Sequence, residues 1–335
     1  QDFYTKLEKR FEIKDPNYLT ADSPLKFVGF EVEMREQNGV TFREMHQRTE
    51  VGLLVEDMSV PPTKHARCPM PNKHTMYRNH ELLEGEQAGK YRSVVGSLNY
   101  FAMCTRYDIA YATSRLSRHC AHPTQGNWDA MMRVLSYLKA TDRFSIGAMV
   151  TNGLDEVEYY SDSDHAGDRD YDTLSQSGTM ITLNGVPVFW RSKKQPVTAV
   201  SSAEAEIYAL YETLKEANLF HCRAQEMGIP LTYPLNVKVD SRPAMSFQKG
   251  TCVESKLRGT YDLRDKRIKE LRDQGRVETD YVATKDNKAD MFTKCMSTKR
   301  SDYLLRLIDN RNWVQMQPGA DWITERLMME DGNDS

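Results

Sequence analysis

The sequence predicts an α/β protein in which a mixed sheet with helices on both faces follows a β-hairpin and a small helical bundle. Three observations carry this expectation. Asn184-Gly185 separates two apolar runs, 178–183 and 186–190. Asn-Gly in that setting signals a tight hairpin, because both residues tolerate positive φ. Ser201-Ser202-Ala203-Glu204 then opens a helix with Ile207, Leu210, Leu214 and Ala217 on one face. Beyond that helix, strand-like and helix-like stretches alternate to about residue 293, an order that suits a mixed sheet covered on both sides.

Taken in order, residues 2–13 place Phe3, Leu7 and Phe11 at four-residue spacing and predict a short amphipathic helix. Residues 25–34 alternate toward their end as a strand, Asn38-Gly39 turns the chain, and 40–43 return. Residues 47–55 predict a helix with Val51, Leu54 and Val55 inward, and the four prolines in 59–71 mark a loop. Three helices follow, over 91–103, 108–119 and 124–140. The first carries Val94, Val95, Leu98 and Phe101 as one stripe, with Gly96 expected to allow close packing. The third buries Trp128, Met131, Met132, Leu135 and Leu138. These stripes read as the core of a bundle rather than as a cofactor site. Asn152-Gly153 marks a boundary, and 158–164 is an aromatic strand ending in acids. The helix from Ser201 runs to about Met227, where Gly228 ends it. Residues 235–240 are a strand, 241–249 a short helix, 263–276 a charged helix, and 276–282 a strand. A helix starts at 286–293, and the tail after Asn310 is polar.

The 335 residues suggest about two domains, with 39% hydrophobic and 28% charged residues and a net charge of -3. No stretch supports membrane insertion or secretion. Six scattered cysteines without a C-x-x-C pair point to a reduced, intracellular protein. His119-Cys120-Ala121-His122 lacks the second ligand pair that a zinc site needs. Gln1 is not a natural start, so a longer parent chain is expected.

Chemistry concentrates in four acids at element ends: Asp162, Glu206, Asp240 and Asp290. Singly, Asp240 reads as a helix cap and Asp290 as the acid of a capping box from Asn287. As a set, three of them belong to neighbouring elements of one sheet. Clustered carboxylates raise each other's pKa unless a cation intervenes, and all-oxygen ligation suits magnesium or manganese. Two such ions about 4 Å apart activate water and stabilise the leaving oxygen of a phosphodiester. Ser201 with Glu204 has capping-box spacing, which leaves Glu206 to face the strand acids. Residues 256–276 hold eight Lys/Arg against four Asp/Glu, either a solvated helix face or a phosphate-tracking edge. Arg264, Arg267, Lys269 and Arg272 lie there. Lys193 and Lys194, after Trp190, form a second small basic patch.

At these residues the chain closely resembles the end of the Pol polyprotein of copia-type LTR retrotransposons. Tyr160 to Gly167 is similar to the Tyr-x-Asp-x-Asp-x-Ala-Gly of that family's ribonuclease H domain. The tryptophan strand before Ser-Lys-Lys-Gln is matched by Trp190 to Gln195. The family's Ser-Ser-x-Glu-Ala-Glu-Tyr-x-Ala-Leu is matched by Ser201 to Leu210, with Ile207 for Tyr. Its Asp-Asn-x-x-Ala is matched by Asp240 to Ala244, with Ser241 for Asn. Its Asn-x-Ala-Asp-x-Phe-Thr-Lys is matched by Asn287 to Lys294. Upstream, Tyr91 to Tyr100 and Thr105 to Ala112 resemble the family's segment between polymerase and ribonuclease H, with Tyr107 for the usual proline. Phe27 to Arg43 resembles a primer-grip hairpin.

The resemblance implies a ribonuclease H-like mixed five-stranded sheet with flanking helices, preceded by a partial reverse-transcriptase palm hairpin and a small helical thumb or connection. The implied division is 1–72 palm remnant, 73–152 connection, 153–310 ribonuclease H-like domain and 311–335 polar tail. It implies hydrolysis of the RNA strand of an RNA–DNA hybrid, with Asp162, Glu206, Asp240 and Asp290 as ligands of two magnesium ions, or manganese in their place. The implied partners are the hybrid and the rest of the polyprotein, and the implied setting is a cytoplasmic virus-like particle or the nucleus. Two departures stand out: Gly259-Thr260-Tyr261 replaces the family's Lys-His-Ile, and no Asp-Asp pair occurs anywhere, so polymerase chemistry is excluded. The rival expectations are a catalytically silent, nucleic-acid-binding remnant and a DNA-directed nuclease of the same fold.

Overall fold

The computed structural model describes residues 18–37, 40–61, 66–70, 76, 80–149, 156–167, 173–249 and 263–308. The expected helix over 2–13, the Asn38-Gly39 turn, the boundary at 152–153, the residues around Thr260 and the tail lie outside the described residues.

The upstream hairpin is wider than its sequence suggests. Strands β1 (Leu25–Phe27), β2 (Phe30–Gln37) and β3 (Val40–His46) are joined by β4 (Ile146–Met149) in a four-stranded sheet of order β1-β2-β3-β4. All its pairings are antiparallel, and β4 pairs Met45 with Ile146 and Phe42 with Met149. Helices α1 (Arg48–Asp57), α2 (Gly85–Cys104), α3 (Ala110–Ser117) and α4 (Gln125–Ala140) lie between β3 and β4. Their apolar stripes are core as expected: Val94, Val95, Leu98, Phe101, Met131, Leu135 and Leu138 are buried, with Trp128 and Met132 half-buried against them. Thr124 and Asn127 form a reciprocal capping box at the start of α4. Gly96 does not serve close packing. It is exposed, and a Cβ there would meet nothing within 4 Å.

The second sheet is mixed and five-stranded, in the order β7-β6-β5-β8-β9. Its strands are β5 (Val157–Asp164), β6 (Gln176–Leu183), β7 (Val186–Lys194), β8 (Leu235–Val239) and β9 (Val277–Tyr281). The antiparallel meander β5-β6-β7 has its second turn at Asn184-Gly185, with φ of 50° and 78°. Asn and Gly are the residues that hold such angles at least cost. Strands β8 and β9 add in parallel beside β5. Helices α5 (Ser202–Glu226), α6 (Arg242–Lys249), α7 (Leu263–Asp273) and α8 (Thr298–Ile308) flank it. This is the ribonuclease H-like arrangement expected from the sequence. The single helix expected at 286–293 is instead two 3-10 turns, Thr284–Asp286 and Lys288–Phe292, because Asn287 between them is extended (φ -71°, ψ 106°).

Strand alternation sorts the two faces of this sheet. Tyr159, Ile181 and Phe189 sit side by side and pack under α5 with Leu210 and Leu214. Tyr160, Met180 and Trp190 form the opposite row, and that face is covered by the helices α2–α4 and by Phe292. One apolar core therefore runs from the upstream helices into the second sheet.

A charged hub fastens this seam. The Trp190 indole N–H donates to the Ala102 carbonyl at 2.5 Å, and its ring meets Tyr107 edge-on at 5.6 Å. Tyr107, standing where the resembled family has proline, also meets Phe144 at 5.2 Å. Next to it Arg106 donates to both oxygens of Asp108 (3.0 and 2.7 Å) and to Thr141, with its guanidinium 4.5 Å from the Phe144 ring centroid. Arg106 and Asp108 are 2% and 6% exposed, so removing one leaves the other charge buried and uncompensated. Arg106→Ala is expected to destabilise the protein by about 3–5 kcal/mol. Urea unfolding of the full chain measures it, and a loss below about 1 kcal/mol would remove the hub's structural role.

Candidate active site

The parallel pairing of β5 with β8 brings two acids to one end of the sheet. Tyr160 lies opposite Lys238, so Asp162 and Asp240, each two residues further on, project from neighbouring chains at their carboxyl ends. The short helix α6 does not need Asp240 as its cap. The Ser241 hydroxyl accepts the Ala244 N–H at 3.3 Å, which leaves the Asp240 carboxylate to the cluster.

Glu206 arrives from the first turns of α5, which are fixed from two sides. The Ser201 hydroxyl accepts the Glu204 N–H at 3.2 Å. The Glu204 carboxylate accepts the Val200 N–H at 2.7 Å, one residue earlier than in a standard capping box. The buried Gln195 amide donates to Ser177 Oγ (2.9 Å) and to the Ala205 carbonyl (3.0 Å), tying the segment after β7 to the helix.

Asp162, Glu206 and Asp240 each offer an oxygen, and these oxygens lie within 4.8 Å of one another. Burial, the first cause, pushes the Glu206 carboxyl well up, and the charges of Asp162 and Asp240 push it further. Burial also raises Asp162, with Asp290 and Asp240 adding to the rise and Lys294 and the Thr293 hydroxyl opposing it. Two carboxyls that burial and neighbouring negative charge keep from ionising are suited to a divalent cation, and three carboxylate oxygens are the donor set of a hard ion.

Asp290 is not one of the three. It is 4% exposed and lies beside Asp162, but its oxygens hold Lys294 Nζ at 2.5 Å and Arg300 Nη2 at 2.8 Å. Nor is it the acid of a capping box: Asn287 accepts from the Ala289 N–H at 3.1 Å and donates to the Ser161 carbonyl at 3.0 Å. The turn Lys288–Phe292 is pinned to β5 at further points. Lys288 Nζ is 2.9 Å from Glu158, and the Thr293 hydroxyl donates to Asp162.

Gly178 makes this contact feasible. It sits opposite Asp162 in β6, and a Cβ there would lie 2.6 Å from the Ala289 carbonyl and 2.8 Å from Thr293 Cγ2. The role of Gly178 was readable only as a lone glycine inside a strand, the usual mark of a close backbone approach. Thr293 and Lys294 lay inside a recognised motif without an assigned task. Arg300 carried no local signal at all.

The basic residues are less concentrated than the acids. Lys193 is half exposed and 3.9 Å from Glu212, Arg267 pairs with Glu270 at 3.2 Å, and Arg272 reaches Asp273 and the Gln248 carbonyl. Lys269 is half-buried on α7, while Lys194 ends β7. Arg264 lies on α7, and its side chain is outside the described residues. Among the described residues one other group has the spacing of metal ligands, Glu31, Glu33 and His46. It is already served by protein groups. Arg48 is 3.3 Å from Glu33 and 3.6 Å from Glu44, His46 Nε2 is 3.2 Å from Glu33, and the Thr49 hydroxyl donates to Glu31. His119, Cys120 and His122 do not form such a group, and the described cysteines form no disulfide.

Fold and site together define a ribonuclease H-like α/β protein with a carboxylate cluster at the carboxyl ends of its parallel strands. No protein-family model matches the sequence. Comparison with known proteins finds the retrovirus-related Pol polyprotein from transposon RE1 of Arabidopsis thaliana, 31% identical over 294 residues, covering 87% of this chain and 19% of that protein. The secreted RxLR effector protein 161 of Plasmopara viticola is 41% identical over 127 residues, covering 38% of this chain and 88% of that protein. Among solved structures, LC11-RNase H1 in complex with RNA/DNA hybrid aligns with a TM-score of 0.33 and 16% identity, covering 43% of this chain and 98% of that chain. The fold assignment rests on the strand order, not on that alignment. The chain belongs to the family of retrotransposon Pol polyproteins, and it spans about a fifth of the length of the Pol relative from RE1.

Two predictions test how the site is held. Gly178→Ala is expected to push the 288–292 turn off β6 and destabilise the protein by about 1–3 kcal/mol, read by urea unfolding. An unchanged unfolding midpoint would show that the turn gives way freely. Glu158 supplies the second. Burial would raise its carboxyl, but hydrogen bonds and charge from Lys238 and Lys288 outweigh this and hold it down at about 2. A folded-state pKa below the ordinary 4.5 contributes stability above pH 4.5 that is lost as pH falls toward about 2. Glu158→Gln should therefore cost stability at neutral pH and flatten the pH dependence of unfolding across that window. A variant whose curve parallels the parent would refute the linkage.

Proposed function

We propose that this chain is a metal-dependent ribonuclease that hydrolyses the RNA strand of RNA–DNA hybrids, acting as one part of a retrotransposon Pol polyprotein. The observation that carries the reading is the convergence of Asp162, Glu206 and Asp240, from β5, α5 and the end of β8, within 4.8 Å of one another. These residues would hold the first of two magnesium ions, or manganese in their place, and Asp290 stands beside them for the second. When bound, such ions activate water for in-line attack and stabilise the leaving oxygen of the phosphodiester.

The chain's own residues do the rest. Ser201, Glu204 and Gln195 fix the direction of Glu206. Thr293 and Lys294 orient Asp162. Lys193 and Lys194 on one side, and Arg264, Arg267, Lys269 and Arg272 on α7, would track the phosphates of the hybrid. Selection for a hybrid would come from 2′-hydroxyl contacts on one strand and phosphate contacts on the other. In this reading 153–310 is the nuclease domain, 1–72 and 73–152 are the end of a palm and a connection, and 311–335 is a tail. Intracellular action in a cytoplasmic particle or in the nucleus belongs to the same reading. Among the described residues no helix is long and apolar enough to cross a membrane.

The test is cleavage of a labelled RNA–DNA hybrid with magnesium, beside chelator and beside duplex DNA. Cleavage of the RNA strand alone, abolished by chelator, is expected. Asp162→Asn should lower the rate on the order of a hundred- to a thousandfold or more while hybrid binding persists. A parent protein that binds the hybrid without cutting it would identify a silent binding module, and preferential cutting of duplex DNA would identify a different nuclease.

A further inference from the structure

One side-chain amide joins the upstream helices to the carboxylate end of the second sheet. Gln176 opens β6 and is buried, with Asp164 opposite it on β5 and Lys194 opposite it on β7. Its side-chain oxygen accepts from the guanidinium of Arg118, the residue that follows α3. Its amide nitrogen donates to the Ser114 hydroxyl on α3 at 3.2 Å and to the Ser192 hydroxyl on β7 at 2.7 Å. The Ser192 hydroxyl in turn donates to the Phe292 carbonyl at 2.6 Å.

Donors and acceptors fix the direction of this chain. A guanidinium has no acceptor, so the Gln176 oxygen faces Arg118 and its NH2 faces the two serines. Ser192 therefore receives a hydrogen bond, and its own proton is left for Phe292. The Gln176 amide protons and the Ser192 hydroxyl proton all have acceptors, and buried polar chains satisfied in this way are rigid. The far end of the chain is the critical one. The Phe292 carbonyl belongs to the peptide unit that leads into Thr293, whose hydroxyl donates to Asp162. Asp290 lies two residues before Phe292 in the same 3-10 turn. Ser192 stands opposite Gly178, the residue whose missing Cβ lets that turn lie on the sheet. Gly178 gives the turn room, and Ser192 holds it there.

We propose that Gln176 is a positioning residue that transmits the seating of α3, through Ser192, to the turn that carries Asp290 and aims Thr293 at Asp162. Its effect on turnover rests on the ribonuclease reading. Beyond that reading, the rate of the site is set in part by a helix that precedes the nuclease stretch 153–310.

Gln176→Glu in the full chain is the sharpest test. It keeps the acceptor for Arg118 but removes the NH2, so the Ser192 hydroxyl turns to the carboxylate and releases Phe292. Hydrogen–deuterium exchange over residues 288–293 should rise roughly three- to tenfold in Gln176→Glu and in Ser192→Ala. It should stay at the parent's level in Ser192→Thr, which keeps the hydroxyl. On an RNA–DNA hybrid the first two variants should lose about tenfold or more in kcat with KM kept, and Ser192→Thr should cut at nearly the parent's rate. Urea midpoints are measured beside the rates, because a merely structural role does not lower kcat in a variant that is fully folded. Parent-like exchange over 288–293, a kcat that stays at the parent's value, a loss confined to KM, or an equal loss in Ser192→Thr would each overturn the proposal. Should either Gln176→Glu or Ser192→Ala fail to fold, the other decides. A parent protein that cuts no hybrid would defeat the ribonuclease reading and not the relay, since exchange reads the relay without cleavage.

Discussion

Mutual repulsion among carboxylates gathered at one end of a sheet is the constraint around which this molecule is arranged. Asp162 and Asp290 are nearly inaccessible, and burial makes each unneutralised charge costly. The structure answers with fixed cations and donors: Lys294 and Arg300 at Asp290, Thr293 at Asp162, Lys238 and Lys288 at Glu158. Among the described residues the Glu206–Asp162–Asp240 group has no such set of close cations, Lys294 reaching only to 3.8 Å from Asp162. The uneven distribution is informative. Glu158 and Asp290 are neutralised closely by fixed cations, and among the three acids with ligand spacing the repulsion is left largely standing.

Backbone geometry serves the same end. The 288–292 turn lies directly on β6 because Gly178 has no Cβ, and Asn287 ties it to the Ser161 carbonyl one residue before Asp162. The 3-10 form also matters. An uninterrupted α-helix from 286 would carry Asp290 through a different rotation, whereas the extended Asn287 resets the chain just before the acid. Each end of the cluster is thus set by a local device: a parallel register for Asp162 and Asp240, a capped helix for Glu206, a pinned turn for Asp290.

Much of this was legible in the sequence, and the limits have physical causes. Asn184-Gly185 announced its turn because positive φ restricts the residues that can stand there. Ser201 announced a helix start because a capping hydroxyl works at short range. Periodicity marked Leu210, Leu214, Val94 and Leu98 as core. Pairing across long stretches left no such trace. Strand β4 joins β3 after about a hundred intervening residues, and nothing local in Ile146 to Met149 names its partner. The tether from Arg300 to Asp290 is equally silent, since it depends on where α8 lands. Gly96 misled for the opposite reason: a glycine in a helix suggests close packing, yet here it faces solvent. The choice between capping and ligand roles for Asp240 also had to wait, because Ser241 beside it is an equally good cap.

The row Tyr160, Met180 and Trp190 carries a consequence for modularity. That face of the second sheet is closed by helices that precede it in the chain, and the Trp190 indole finds its acceptor at Ala102. A cut at the sequence boundary near residue 152 would therefore not release a finished unit. It would strip the lining from one side of the sheet and leave an indole N–H facing water. The carboxylate end of the second sheet and the upstream helices accordingly share one interior, and neither part has a complete core of its own.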